Sequence, residues 1–208
     1  MTITTEQEAT NICTALRNGS FKLESVTSTP KNRNPAAPFM TSTLQQEASR
    51  KLGLGTKETM MTAQRLYESG LITYMRTDGI DMAPEASKDV RNLIIEMFGN
   101  NYAPHSPRIY KNASKNAQEA HECVRPTDIR ITPKKLPEVE RVQQDLYKLI
   151  WNRTVSSQME SARFEATSFK ITNAEESASF RASGQVLLFD GFLKVYVEGK
   201  DDERSSDE

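Results

Sequence analysis

Along the chain the apolar period switches from helical to alternating, back to helical, and finally to alternating again. Ala9, Ile12, Cys13 and Leu16 recur at three- and four-residue spacing, with Thr5 and Glu8 at capping-box separation before them and Gly19 after them. This predicts a short amphipathic helix with Cys13 as a core residue. Phe21, Leu23 and Ser25 then alternate with Lys22, Glu24 and Val26, the period of a strand running toward Thr29. Pro30 to Pro38 is rich in proline and asparagine and reads as a linker and domain boundary.

Helical texture follows. Thr41 and Ser42 can cap a helix whose face is Leu44, Ala48 and Leu52, ended by Gly53. Thr56 can cap the next, to Ser69, with Met60, Met61, Ala63, Leu66 and Tyr67 as its apolar set and Gly70 in the left-handed position beyond it. Pro84 suits the first turn of a third helix with Ala86, Val90, Leu93, Ile94 and Met97 on one face. Residues 100–116 read as a loop, any helix within Glu119–Thr127 must stop near Val124 or Arg125 ahead of Pro126, and a last long helix is expected from about Pro137.

The alternating period returns at Ala162, Phe164 and Ala166, continues to Asn173, and recurs in Ser179–Ser183, Val186–Phe189 and Phe192–Val197 as further strands. The charged, serine-containing stretch 198–208 is expected to be disordered. The lone early strand most economically joins the late ones. The pattern thus predicts an α+β, multidomain chain: a mainly helical domain at 38–160 inserted into a discontinuous β-rich domain formed by 1–37 and 161–197.

Composition narrows the classes. Among 208 residues, 26% are charged and the formal net charge is −1, so any nucleic-acid contact must come from a local patch rather than a global basic field. Cys13 and Cys123 are too few for a disulfide framework, and two histidines argue against a zinc site. With neither a signal-peptide pattern nor an apolar run of membrane length, the expectation is a soluble, cytoplasmic protein.

Between the second and third of these helices lies the most informative stretch, Gly70-Leu71-Ile72-Thr73-Tyr74-Met75-Arg76-Thr77-Asp78-Gly79. A brief β-prone run ends in a turn cluster, placing Tyr74 at the exit of an extended segment. Two residues on, Arg76 projects to the same side, where it can favour a phenolate and grip a phosphate oxygen. The bland alternative is a half-buried aromatic beside a surface cation. His121 and Arg125, four apart, share a face if helical and would suit the oxygens of a phosphodiester; the bland alternative there is a surface pair. Methionines 60, 61, 75, 82 and 97 read as packing residues.

The stretch 70–78 closely resembles the active-site segment of bacterial type IA DNA topoisomerases. The resemblance extends to Pro38-Phe39-Met40-Thr41-Ser42-Thr43-Leu44-Gln45-Gln46-Glu47-Ala48, to Met60–Glu68, and to Ala120-His121-Glu122-Cys123-Val124-Arg125-Pro126-Thr127. Cys123 departs from the small apolar residue usual in the family. The resemblance implies an isomerase that relaxes negatively supercoiled DNA without ATP. Tyr74 would be the nucleophile in single-stranded DNA, forming a 5′-phosphotyrosine, with Arg76, His121 and Arg125 as DNA contacts. The helical domain would bear the tyrosine and the β-rich one would be part of the arch.

In the family, Mg2+ is held by a toprim domain whose Asp-x-Asp pattern does not occur here. The expectation is therefore a nucleoid-associated, monomeric fragment with no metal of its own, inactive without its toprim and gate domains. The alternatives are a tyrosine recombinase-like strand transferase, disfavoured because Tyr74 precedes His121, and a non-catalytic helical DNA-binding module.

Overall fold

The computed structural model describes residues 3–110 and 121–199. It is α+β, with five α-helices and a three-stranded antiparallel sheet among the described residues. Backbone contacts divide the chain into two compact units, one of residues 1–33 with 163–189 and the other of 34–162 with 190–208.

The first unit contains α1 (Glu6–Arg17) and strands β1 (Phe21–Arg33), β2 (Ala162–Asn173) and β3 (Ser179–Phe189), in spatial order β1-β2-β3. The Thr5 hydroxyl accepts from the Glu8 amide and caps α1 as its spacing predicts. Only Ala9, Ile12 and Leu16 of the apolar stripe are half-buried. Cys13 sits on the shoulder of that stripe and is exposed, against the expectation of a core residue.

Strand β1 runs through Pro30 to Arg33 instead of stopping at Thr29. It lies at the edge of the sheet, where a residue without an amide proton breaks no ladder. Strand β3 is continuous where two short strands were expected. The turn between β2 and β3 is held by the Asn173 carboxamide, which accepts from the Ala178 amide and donates to the Ser177 hydroxyl.

The second unit is built round α5 (Arg141–Ser157), packed against α2 (Thr41–Leu52), α3 (Thr56–Glu68) and α4 (Pro84–Phe98). Helix α5 starts at Arg141 rather than near Pro137, because Glu140 and Gln143 satisfy each other's amides in a capping box. Its later half is buried nearly all round, and its polar atoms are satisfied: Trp151 Nε1 donates to the Ile129 carbonyl at 2.9 Å and the Tyr147 hydroxyl to that of Ile131 at 2.7 Å. The Arg153 guanidinium is buried, donating to the Ala37 carbonyl and to Glu198 while lying 4.9 Å from the Phe39 ring.

Pro84 opens α4, and Gly53 ends α2 in the left-handed conformation. The caps of α2 and α3 are Met40 and Gly55, each one residue before the expected threonine. In α3 the inward positions are Thr59, Thr62, Ala63 and Leu66, while Met61 and Tyr67 point outward; the Thr59 hydroxyl is satisfied by the Gly55 carbonyl. Met75 is fully buried, but Met97 is largely exposed.

Phe192–Val197 is not a strand. Gly191–Lys194 forms a short 3-10 turn in this unit, and Tyr196 then packs beneath α2 with its hydroxyl donating to the buried Glu47 carboxylate. Burial, reinforced by that carboxylate, holds the Tyr196 phenol above its usual range. Glu198 and Gly199, expected to open a disordered tail, are instead held in place, because Glu198 meets Arg153 and the Gly199 amide donates to Glu47. Residues 200–208, and the part of the expected loop at 111–116, lie outside the described residues.

Cys123 is fully buried, and burial pushes its thiol up to about 12 although Arg125 nearby pulls the other way. Raising the pH from 7 to 9 should therefore leave Cys123 as unreactive thiol. Iodoacetamide followed by peptide mass analysis should mark Cys13 on the folded chain and Cys123 only after unfolding; equal labelling would contradict this placement.

Candidate active site

Leu71 and Ile72 are buried, Tyr74 is half-exposed, Met75 is buried and Arg76 is exposed again, so the connector between α3 and α4 alternates in and out. Two side chains are presented by a backbone that is held on both flanks. On one flank the Thr73 amide donates to the Arg125 carbonyl at 2.9 Å, and the Thr73 hydroxyl donates to the Cys123 carbonyl at 2.7 Å while accepting from the Arg125 amide at 3.0 Å. On the other, the Thr41 hydroxyl at the start of α2 accepts from the Thr77 amide at 2.8 Å and donates to the Met75 carbonyl at 2.7 Å; the Thr41 amide donates to the Thr77 carbonyl at 2.9 Å. The Arg76 backbone is thus spanned from Met75 to Thr77 by one residue of another helix. Tyr74 leans edge-on against Tyr67 of α3, ring centroids 5.3 Å apart.

No helix spans His121–Pro126. The segment is extended, bridging Glu122 to Asp81, Val124 to Phe39 and Pro126 to Ile72, so its backbone bonds go to the connector and its neighbours rather than to itself. Glu119 and Ala120 lie outside the described residues. Gly79 makes this packing possible, since a Cβ there would stand 1.6 Å from the His121 carbonyl oxygen.

The result is an open cleft of about 290 Å³ lined by Thr73, Tyr74, Arg76, Thr77, His121 and Glu122. His121 Nδ1 lies 3.1 Å from Asp78 Oδ1. Arg76 has no carboxylate partner among the described residues. Of the four residues singled out from sequence, Tyr74, Arg76 and His121 meet in this cleft and Arg125 does not line it. The Arg125 guanidinium is mostly buried, with Nε 2.7 Å from Glu122 Oε1 and Nη1 donating to the Pro126 carbonyl.

Sequence reading missed Thr41 as a clamp and missed Asp78 and Glu122 as neighbours of the site. The signal available was the nearness of Thr41 to a helix start, which suggested a cap. Among the described residues no three His, Cys, Asp or Glu side chains stand together to hold a metal ion, so the Mg2+ of the resemblance finds no fitting donor set among them. Among the described residues, too, no helix is long and apolar enough to cross a membrane.

A family model described as DNA topoisomerase matches residues 1–207. The chain is 44% identical over 210 residues to DNA topoisomerase 1 of Rickettsia felis, covering 97% of this chain and 27% of that protein. It is 47% identical over 200 residues to the enzyme of the same name from Streptomyces coelicolor, covering 95% and 21%. The full-length topoisomerase I structure from Thermotoga maritima superposes with a TM-score of 0.78 at 34% identity, over 93% of this chain and 33% of that one. The chain belongs to the bacterial type IA DNA topoisomerases. It spans about a quarter of the length of these curated relatives, which are isomerases by name.

Gly79→Ala should force the His121 segment off the connector and destabilise the second unit by about 1–3 kcal/mol, the usual cost of overpacking, read from a denaturant midpoint. Thr41→Val should cost about 1–3 kcal/mol by leaving Thr77 and Met75 backbone groups unpaired, whereas Thr41→Ser restores most of it. Unchanged midpoints would remove the clamp from this account.

Proposed function

We propose that Tyr74 is the nucleophile of a type IA topoisomerase reaction on single-stranded DNA. The single observation that carries this reading is the cleft itself: a half-exposed tyrosine on a backbone pinned at both flanks, sharing its opening with a cation that has no carboxylate partner among the described residues and with an imidazole. The phenol oxygen attacks phosphorus, forming a Tyr–O–P bond to the 5′ side of the break. The bond from phosphorus to the 3′ oxygen breaks, and that oxygen leaves as a hydroxyl carrying the proton the phenol gave up. The exchange conserves a phosphodiester, so after another strand has passed the hydroxyl reverses it without ATP.

Arg76 holds the non-bridging oxygens as charge builds on them, and His121 contacts DNA beside the scissile phosphate. Arg125 serves the site through Glu122, whose carboxylate it holds at the cleft wall. We further read the second unit as the tyrosine-bearing domain and the first as part of the arch; the division of contacts near Arg33 and Arg163 supports this.

The reading is tested in a chimera in which this chain replaces the matching third of the Thermotoga maritima enzyme. Tyr74→Phe should abolish relaxation of negatively supercoiled plasmid, and Arg76→Ala should lower its rate by about 10²–10³, the scale on which loss of one preorganised donor is felt. Relaxation surviving Tyr74→Phe would disprove the nucleophile. The 208-residue chain alone should leave plasmid supercoiled, and relaxation by it would contradict that part of the proposal.

A further inference from the structure

Strands β1, β2 and β3 carry a second surface of distinct chemistry. On one face of the sheet Thr29, Lys31, Ser168, Arg181, Ser183 and Gln185 line a shallow concavity of about 600 Å³. Cross-strand pairing sets Ser168 opposite Ser183 and Ala166 opposite Gln185, so these side chains share a face by register. No carboxylate and no aromatic ring lines it.

The other sheet lysines of the unit are neutralised, Lys22 by Glu176 at 2.8 Å and Lys170 by Glu24 at 2.6 Å. Lys31 and Arg181 have no carboxylate partner among the described residues, and Arg181 Nε is instead steadied by the Ser168 hydroxyl at 3.0 Å.

We propose that this face binds the sugar-phosphate backbone of single-stranded DNA, without reading its bases. Cations and hydroxyls match phosphate oxygens, and no ring among the lining residues offers a base a stacking platform. The inference rests on the reading that the chain acts on DNA, but it concerns residues of the first unit, whereas Tyr74 and Arg76 belong to the second.

Fluorescence anisotropy of a labelled oligothymidylate with the full 208-residue chain tests it. The Lys31→Ala/Arg181→Ala variant should bind at least about fivefold more weakly at low salt. Its slope of log affinity against log salt should be shallower by about 1.4, two phosphates at roughly 0.7 each. The double variant should leave the circular dichroism unchanged. Wild-type affinity in the double variant overturns the proposal; if Arg76→Ala then weakens binding, the DNA reading stands and only this surface is wrong. Absence of binding by the unmodified chain, or equal binding of polyglutamate, overturns it as well.

Discussion

One hydroxyl fixes the main chain on which Tyr74 and Arg76 stand. Thr41 bonds to backbone groups of Met75 and Thr77, so the peptide carrying Arg76 cannot turn without breaking bonds that would go unsatisfied in a partly buried place. The buried Met75 adds a second restraint, because releasing it would expose a whole side chain. Tyr74 and Arg76 are thereby aimed by their neighbours, and the freedom left to them is that of their side chains. In the proposed reaction, preorganisation of this kind would lower the entropy a bound phosphate must overcome before an in-line attack.

The clamp depends in turn on how α2 is seated. Leu44, Glu47 and Ala48 face inward, and Tyr196 and Gly199 close over Glu47. The neighbouring helix α5 brings the buried Arg153 against Phe39, whose carbonyl receives the Val124 amide. The His121 segment is therefore hung from the same core that seats Thr41. Such a chain of packed contacts transmits a core defect to the cleft, since interiors at crystal-like density have little room to absorb it.

Local chemistry was legible in the sequence: the Thr5 cap, Pro84 at the head of α4, Gly53 and Gly70 in left-handed turns, and Tyr74 emerging after a buried apolar pair. Each follows from side chains within a few residues of one another. What was not legible depends on partners far along the chain. Thr41 reaches Thr77, Thr73 reaches Arg125, and Gly79 makes room for His121, none of which a period or a cap can announce. The same cause turned His121–Pro126 from a possible helix into an extended segment, because backbone partners at Phe39, Ile72 and Asp81 outbid a helix that Pro126 had to end anyway. It also put Thr59 and Thr62 inside α3 in place of Met61 and Tyr67, and it folded Phe192–Val197 as a turn beneath α2 rather than a strand.

The most direct measurement is to trap the covalent DNA complex of the chimeric enzyme with denaturant, digest it, and identify the modified peptide and the end to which it is joined. The expected product is a phosphotyrosine at Tyr74 bearing the 5′ end of the broken strand, with a free 3′ hydroxyl on the other fragment. A link at any other residue, or to a 3′ phosphate, would contradict it.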